Sequence, residues 1–165
     1  MTYDYIAAFH EGHTYNRRVA KYLRSRGVKC YAPDLQIAQN NEERAIMTRT
    51  EKDIIIEGID EILEVKSSSR EFSDVPADYP YPTLIVDTVD SYEKKEKKPL
   101  AYVLVSKDTD AMITVGGSSK PRWFSRKFYD SKQCLWDNFY LANKSDIKHI
   151  EDLVQYLLRR QSQSR

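Results

Sequence analysis

Residues 52 to 69, KDIIIEGIDEILEVKSSS, hold two apolar runs joined by a turn around Gly58, the pattern of a β-hairpin. Glycine at the first loop position suits a type II′ turn with Gly58 and Ile59 as its two loop residues. Glu57 then faces Asp60, every facing pair of residue numbers sums to 117, and Asp53 falls opposite Glu64. Side chains alternate between the faces of a strand, so this register puts Asp53, Ile55, Ile62, Glu64 and Lys66 on one face. Ile54, Ile56, Leu63 and Val65 take the other and read as core.

Elements on either side of the hairpin predict a single α/β domain, 1–165, with a central mixed β-sheet flanked by helices. The motif region spans 9–70, and C-terminal strands with a closing helix span 82–160. Residues 2 to 9 read as a short strand or turn. EGHTYNRRVAKYLRSRG reads as an amphipathic helix ending at Gly27, with Arg17, Lys21 and Arg24 on its outer face. VKCYAPDLQI reads as a strand and AQNNEERAIMTRTE as a polar connector with a helical turn. REFSDVPADYPYP and GGSSKPRWFSRKFYD are expected as loops, and DSYEKKEKK as a charged turn or short helix. TLIVDTV and CLWDNFYLA are expected as strands, and PLAYVLVS with AMITVGG as a second hairpin. SDIKHIEDLVQYLLRR is expected as a helix with Ser145 as N-cap and Ile147, Ile150, Val154, Leu157 and Leu158 as its buried stripe; QSQSR is expected to fray.

A net charge of +1 from 26 basic and 25 acidic residues neither requires nor excludes an anionic partner. No apolar run reaches the roughly 20 residues needed to cross a bilayer, and MTYDYIAAFHEG lacks the features of a secretory signal, so no membrane partner and a cytoplasmic location are expected. Cys30 and Cys134 have no metal-like spacing and read as free thiols. His10 and His13 likewise lack the spacing of metal ligands and read as surface or cap residues.

Two carboxylates beside a lysine suit hydrolysis of a phosphodiester. Asp53 and Glu64 are hard oxygen ligands for Mg²⁺ or Mn²⁺, and the Val65 carbonyl is a further oxygen. A bound ion acidifies its water, and the Lys66 ammonium orients that water or meets the developing oxyanion. Glu11 lies four residues before Tyr15 and eight before Val19, on the expected core side of the first helix. Either it favours the helix dipole there or it serves the site. Glu42 and Glu43 stand in reserve as a third carboxylate. Asp34 in APDL lacks a partner Glu-x-Lys on an adjoining strand.

Asp53, ten intervening residues, then Glu64-Val65-Lys66 at the end of a hairpin resembles the PD-(D/E)XK nuclease superfamily. HEGHTYNRRVAKYLRSRGVKCYAPD is similar to that superfamily's preceding helix and strand, with Glu11 matching its helix glutamate. The resemblance covers residues 9–70. It departs from the pattern in having Lys52 where a proline precedes the aspartate, and in lacking a long helix after the hairpin. It implies a restriction-endonuclease-like core and metal-dependent cleavage of nucleic acid, DNA before RNA, with Asp53, Glu64, Lys66 and Glu11 as the site. A homodimer is one way such nucleases reach both strands. YPYPTLIVDTVDSYEKKEKKPLAYVLVS also resembles small phage-type proteins.

In KPRWFSRKFY, Lys120, Arg122, Arg126 and Lys127 alternate with aromatics including Trp123, which suits contact with nucleic acid as well as a core with basic residues outside. Lys94, Lys95, Lys97 and Lys98 form a solvated run or touch a backbone, and Ser67, Ser68 and Ser69 end a strand or bind phosphate. A non-catalytic nucleic-acid-binding or assembly protein on the same scaffold is the alternative function. An interaction module with an incidental charged hairpin is a third.

Overall fold

The computed structural model of the chain describes residues 3–164. In chain order the elements are α1 (Tyr5–Ser25), β1 (Cys30–Tyr31), α2 (Asn41–Thr50), β2 (Ile54–Ile56), β3 (Glu61–Ser68), β4 (Thr83–Thr88) and α3 (Val89–Lys94). They continue with β5 (Ala101–Ser106), β6 (Met112–Gly116), β7 (Phe124–Asp130), β8 (Leu135–Asn143), β9 (Ile147–His149) and α4 (Ile150–Gln163). Six strands form a mixed sheet in the order β1-β2-β3-β5-β6-β9, in which only β3 and β5 run parallel. A separate antiparallel sheet has the order β4-β8-β7.

The β2–β3 hairpin has the expected register: Ile54 pairs with Leu63, Ile55 with Ile62 and Ile56 with Glu61, each pair summing to 117. Gly58 sits at φ +80°, a conformation that residues with a Cβ rarely adopt and that this turn requires. Ile54, Ile56, Leu63 and Val65 pack with Val19, Ala20 and Leu23 of α1 and Leu153, Val154 and Leu157 of α4. The other face of the sheet carries Tyr102, Leu104, Ile113 and Val115 against Leu84, Val86, Tyr92, Trp123 and Ala142 of the smaller layer. Strand β5 is covered on both sides, so every one of its residues is buried.

Local chemistry explains where elements begin and end differently from the sequence expectation. Helix α1 starts at Tyr5 because Asp4 caps it, its Oδ1 accepting the Ala7 N–H at 3.0 Å. It stops at a Schellman turn: Val28 N–H bonds the Leu23 carbonyl and Gly27 N–H the Arg24 carbonyl, each at 3.0 Å, with Gly27 at φ +94°. The polar connector is a full helix, α2, capped by Asn40, and the expected strand around Cys30 shrinks to two residues. Ser145 is not the cap of the last helix. Ile147 pairs with Val115 in β9, and His149 caps α4 by accepting the Glu151 N–H. Nor do the last residues fray at Gln161, whose side chain bonds Lys29 N, Lys29 O and Glu57 O.

The crossover from β3 to β5 contains β4 and the short α3 and lays them over the face of β3 that bears Glu64 and Lys66. No helix among the described residues is long and apolar enough to cross a membrane.

Candidate active site

Strand β2 stops pairing at Ile54, one residue after Asp53. Asp53 takes over there with its side chain: Oδ2 accepts the Val65 N–H at 2.8 Å and Oδ1 accepts the Asn16 amide at 3.2 Å. A strand residue directs its N–H and C=O to the same neighbour, so the Val65 carbonyl turns toward the side that Asp53 occupies. Asp53, Glu64, Val65 and Lys66 line one cleft of about 730 Å³, whose other walls come from α1, the segment after β1 and the end of α2.

Glu64 and Lys66 are adjacent on their face, as the alternation of a strand requires, with Lys66 Nζ 3.8 Å from Glu64 Oε1. Two residues from the crossover join them. Asp87 of β4 lies 3.3 Å from Lys66 Nζ, and the ammonium of Lys95, just after α3, lies 3.5 Å from both Glu64 Oε1 and Asp87 Oδ2. Side-chain exposures of 2% for Asp87, 7% for Lys95 and 11% for Glu64 leave these three nearly dry, while Lys66 at 35% reaches toward the solvent. The network is extended by two hydrogen bonds, since Tyr102 OH donates to Asp87 Oδ2 at 2.7 Å and Lys95 Nζ donates to Ser91 Oγ at 2.9 Å.

The charges are not equivalent. Burial first, and then the neighbouring Asp53 carboxylate, push the Glu64 carboxyl up to about 8, against the pull of Lys66 and Lys95. Burial also raises Asp53, against the Val65 N–H bond and Lys66. Asp87 goes the other way: burial opposes its ionisation, but Lys66, Lys95 and the Tyr102 hydroxyl outweigh burial and lower its pKa. Burial alone would lower Lys66, yet Asp87, Glu64 and Asp53 together raise it, so its ammonium is permanently charged at ordinary pH. At the mouth of the cleft Glu51 is raised by loss of hydration and by Glu64. Among the described residues Glu51 makes no ion pair.

Asp53 and Glu64 offer hard oxygens at a place where negative charge is held back by burial, which fits a small divalent cation. No group of three or more His, Cys, Asp or Glu is arranged to hold a metal ion among the described residues. Two carboxylates completed by water and substrate oxygens are a set in which Mg²⁺ commonly binds, and an all-protein cage is not present among the described residues.

Glu11 is not brought into this group. No residue of α1 before Val19 is buried, so the expected core side does not extend to Glu11. Its carboxylate is exposed and bonded to Lys107 at 2.6 Å, and that bond lowers its pKa. Glu43 is occupied in the first turn of α2, where Oε2 accepts the Gln39 N–H, and Glu42 is exposed beside it. Asp34 lines the cleft, and His13 bonds the Pro33 carbonyl at its wall.

The five residues expected to touch nucleic acid divide. Trp123 is buried with Tyr92, Tyr102 and Tyr140 and donates its indole N–H to Ser119, so its faces are not open for stacking. Arg122 is held by Asp146 at 2.7 Å, and Lys120 sits over the Tyr140 ring. Arg126 and Lys127 are exposed on β7, in a segment expected to be a loop. Sequence reasoning missed Asp87, Tyr102, Glu51 and Asn16, and it placed Lys95 in a solvated or backbone-touching run, whereas Lys95 is buried against Glu64 and Asp87. The one local signal was the acid interrupting the apolar strand TLIVDTV. Protein-family models, curated proteins and solved structures provide no match to this chain.

Proposed function

We propose that the chain is a divalent-metal-dependent nuclease of the PD-(D/E)XK type, with a restriction-endonuclease-like core, that hydrolyses phosphodiester bonds in DNA. The observation that supports it is the sharing of one cleft by Asp53, Glu64 and Lys66, in the register that the hairpin turn imposes. When bound, Mg²⁺ or Mn²⁺ supplies an acidified water and neutralises charge on the phosphate. Asp53 and Glu64 hold it with their carboxylates, and the Val65 carbonyl adds an oxygen. Asn16 fixes the rotation of the Asp53 carboxylate.

Lys66 cannot serve as general base, because the carboxylates around it keep it protonated. Its role is electrostatic: the ammonium, aimed by Asp87, meets the oxyanion that develops on the phosphorus. Glu51 lines the same cleft and makes no ion pair among the described residues, so it is the carboxylate placed to take the proton of the attacking water.

The test is a panel of end-labelled DNA and RNA oligonucleotides incubated with Mg²⁺ or Mn²⁺. Lys66→Ala should lower the cleavage rate by about 10²- to 10³-fold, the loss seen when a preorganised charge is removed. Unchanged cleavage by Lys66→Ala and Asp53→Ala proteins would reject the proposal. One observation favours a second reading, a nucleic-acid-binding or assembly protein that keeps the scaffold without turnover: Glu11 lies outside the cleft, and no three acids are arranged to hold a metal ion among the described residues. That protein binds DNA in a salt-sensitive way and cuts none of the panel.

A further inference from the structure

We infer that a second cleft, on the far side of Lys66, binds an unpaired nucleic-acid strand, so that the substrate is single-stranded or carries a single-stranded end. What happens at Lys66 rests on the nuclease reading; the binding itself does not. This cleft, about 550 Å³, opens between the end of β3, strand β4 and the tip of the β7–β8 hairpin, and it shares Lys66 with the first.

Its two walls differ in chemistry. One is polar and cationic: the exposed Ser67 and Ser69 follow Lys66 directly, and Arg70 is held in place by Tyr79 OH and the Thr83 carbonyl, each at 3.2 Å. The other is aromatic. Arg126 pairs with Phe139 and Phe128 with Asp137, so Phe128 and Phe139 share one face of the hairpin, ring centroids 6.1 Å apart. Lys132 stands at the hairpin tip.

Two acids also line the cleft, and both are engaged. Asp87 is neutralised by Lys66 and Lys95, and Asp130 accepts the backbone N–H groups of Lys132 and Gln133 to form the hairpin turn. Arg70 and Lys132 form no ion pair among the described residues, which leaves the cleft with an excess of positive charge. Cations and hydroxyls that follow a backbone, facing aromatic rings that stack bases, are what an unpaired strand needs. A duplex keeps its base faces inside. Clefts of about 300–1,000 Å³ hold ligands of a drug's size, so this one takes nucleotide-sized units and not a paired helix.

The test is fluorescence anisotropy of labelled oligothymidylate and of a blunt duplex of equal length, with EDTA present, at low and high salt. The single strand should bind at least about ten-fold tighter than the duplex and weaken with salt. Phe128→Leu, which keeps an apolar side chain but loses the stacking ring, should weaken single-strand binding about ten-fold, and Lys132→Glu should weaken it by a similar factor. Both variants should melt cooperatively, with midpoints within a few degrees of the parent's.

Equal or tighter duplex binding, or single-strand binding that ignores both substitutions, overturns the inference. Cleavage of blunt duplex that needs Lys66 but ignores Phe128→Leu leaves the nuclease standing and removes the groove. Single-strand binding that Phe128→Leu weakens, in a protein that cuts nothing, does the reverse.

Discussion

Two antiparallel ribbons of this chain invert the usual distribution of side chains in opposite ways. The β2–β3 hairpin lies inside the main sheet, yet one of its faces brings Glu64 and Lys66 into an ion-pair cluster with the buried Asp87 and Lys95. The β7–β8 hairpin stands at the surface and leaves aromatic side chains in water, Tyr129 at 52% and Trp136 at 64% exposure. Buried charge costs several kcal/mol per ion unless it is paired, and a pair exposed to solvent contributes little. Stability therefore depends strongly on the polar face of the first ribbon and weakly on the second. Binding should show the opposite dependence.

The largest effect that sharpens this contrast is Lys95→Ala. It leaves Glu64 and Asp87 short of one ammonium in a dry setting, and should cost about 3–5 kcal/mol in chemical denaturation, the range for breaking a buried pair. Phe128→Leu, at a half-buried position of the second ribbon, should cost only about 1 kcal/mol, the centre of the range for single substitutions. Similar losses for both would erase the distinction between the two ribbons. Asp87→Asn should act on rate as well, because Asp87 aims Lys66. A misaimed group costs up to about 10²-fold, so cleavage should fall, while single-strand affinity, with one acid fewer in the cleft, should hold or rise; a loss of affinity would contradict this account of Asp87.

The first ribbon also predicts a pH dependence. Glu64 is raised from an ordinary 4.5 to about 8, so between those values the folded state binds more protons than the unfolded chain, and stability falls as pH rises through that window. Asp87 is lowered and works in the opposite direction: its contribution is present above the ordinary aspartate pKa and is lost only as pH falls through its depressed value. Thermal melts of the metal-free protein should therefore decline toward pH 8, Mn²⁺ should reverse the decline, and Glu64→Gln should flatten it. A Glu64→Gln curve that follows the parent would locate the dependence elsewhere. The smallest effect belongs to Glu11→Gln. It breaks an exposed pair with Lys107 and should cost under about 1 kcal/mol and leave cleavage unchanged, whereas a large loss of cleavage would return Glu11 to the site.

How much of this was legible in the sequence follows the same division. A two-residue loop with glycine at positive φ fixes strand parity, so the register, the core face and the charged face of β2–β3 could all be read locally. Asp87 and Lys95 could not. They reach Glu64 through a crossover whose path is set by the packing of Leu84, Val86 and Tyr92 on the sheet, and Lys95 is one of four lysines in a charged run. Glu11 was misplaced because helical phase says which way a side chain points but not where the core ends. The Gly-Gly-Ser-Ser start of the segment before β7 reads as a loop, and only its first part is one: Gly117–Arg122 forms a 3₁₀ turn and Phe124–Asp130 a strand. Trp123, at the junction, was drawn into the aromatic core. The mixed central sheet with helices on it follows from the order of elements, and the second sheet under that order does not.

Calorimetric titration of Mn²⁺ near neutral pH, run in buffers of different ionisation enthalpy, bears most directly on the Asp53–Glu64 pair. The parent protein should take up one ion and release about one proton, from Glu64, because a ligand must lose its proton to bind, and Asp53→Ala should bind none. An Asp53→Ala protein that binds Mn²⁺ as the parent does, or a parent that binds no ion at all, would contradict the assignment of this cleft as a metal-dependent hydrolytic site.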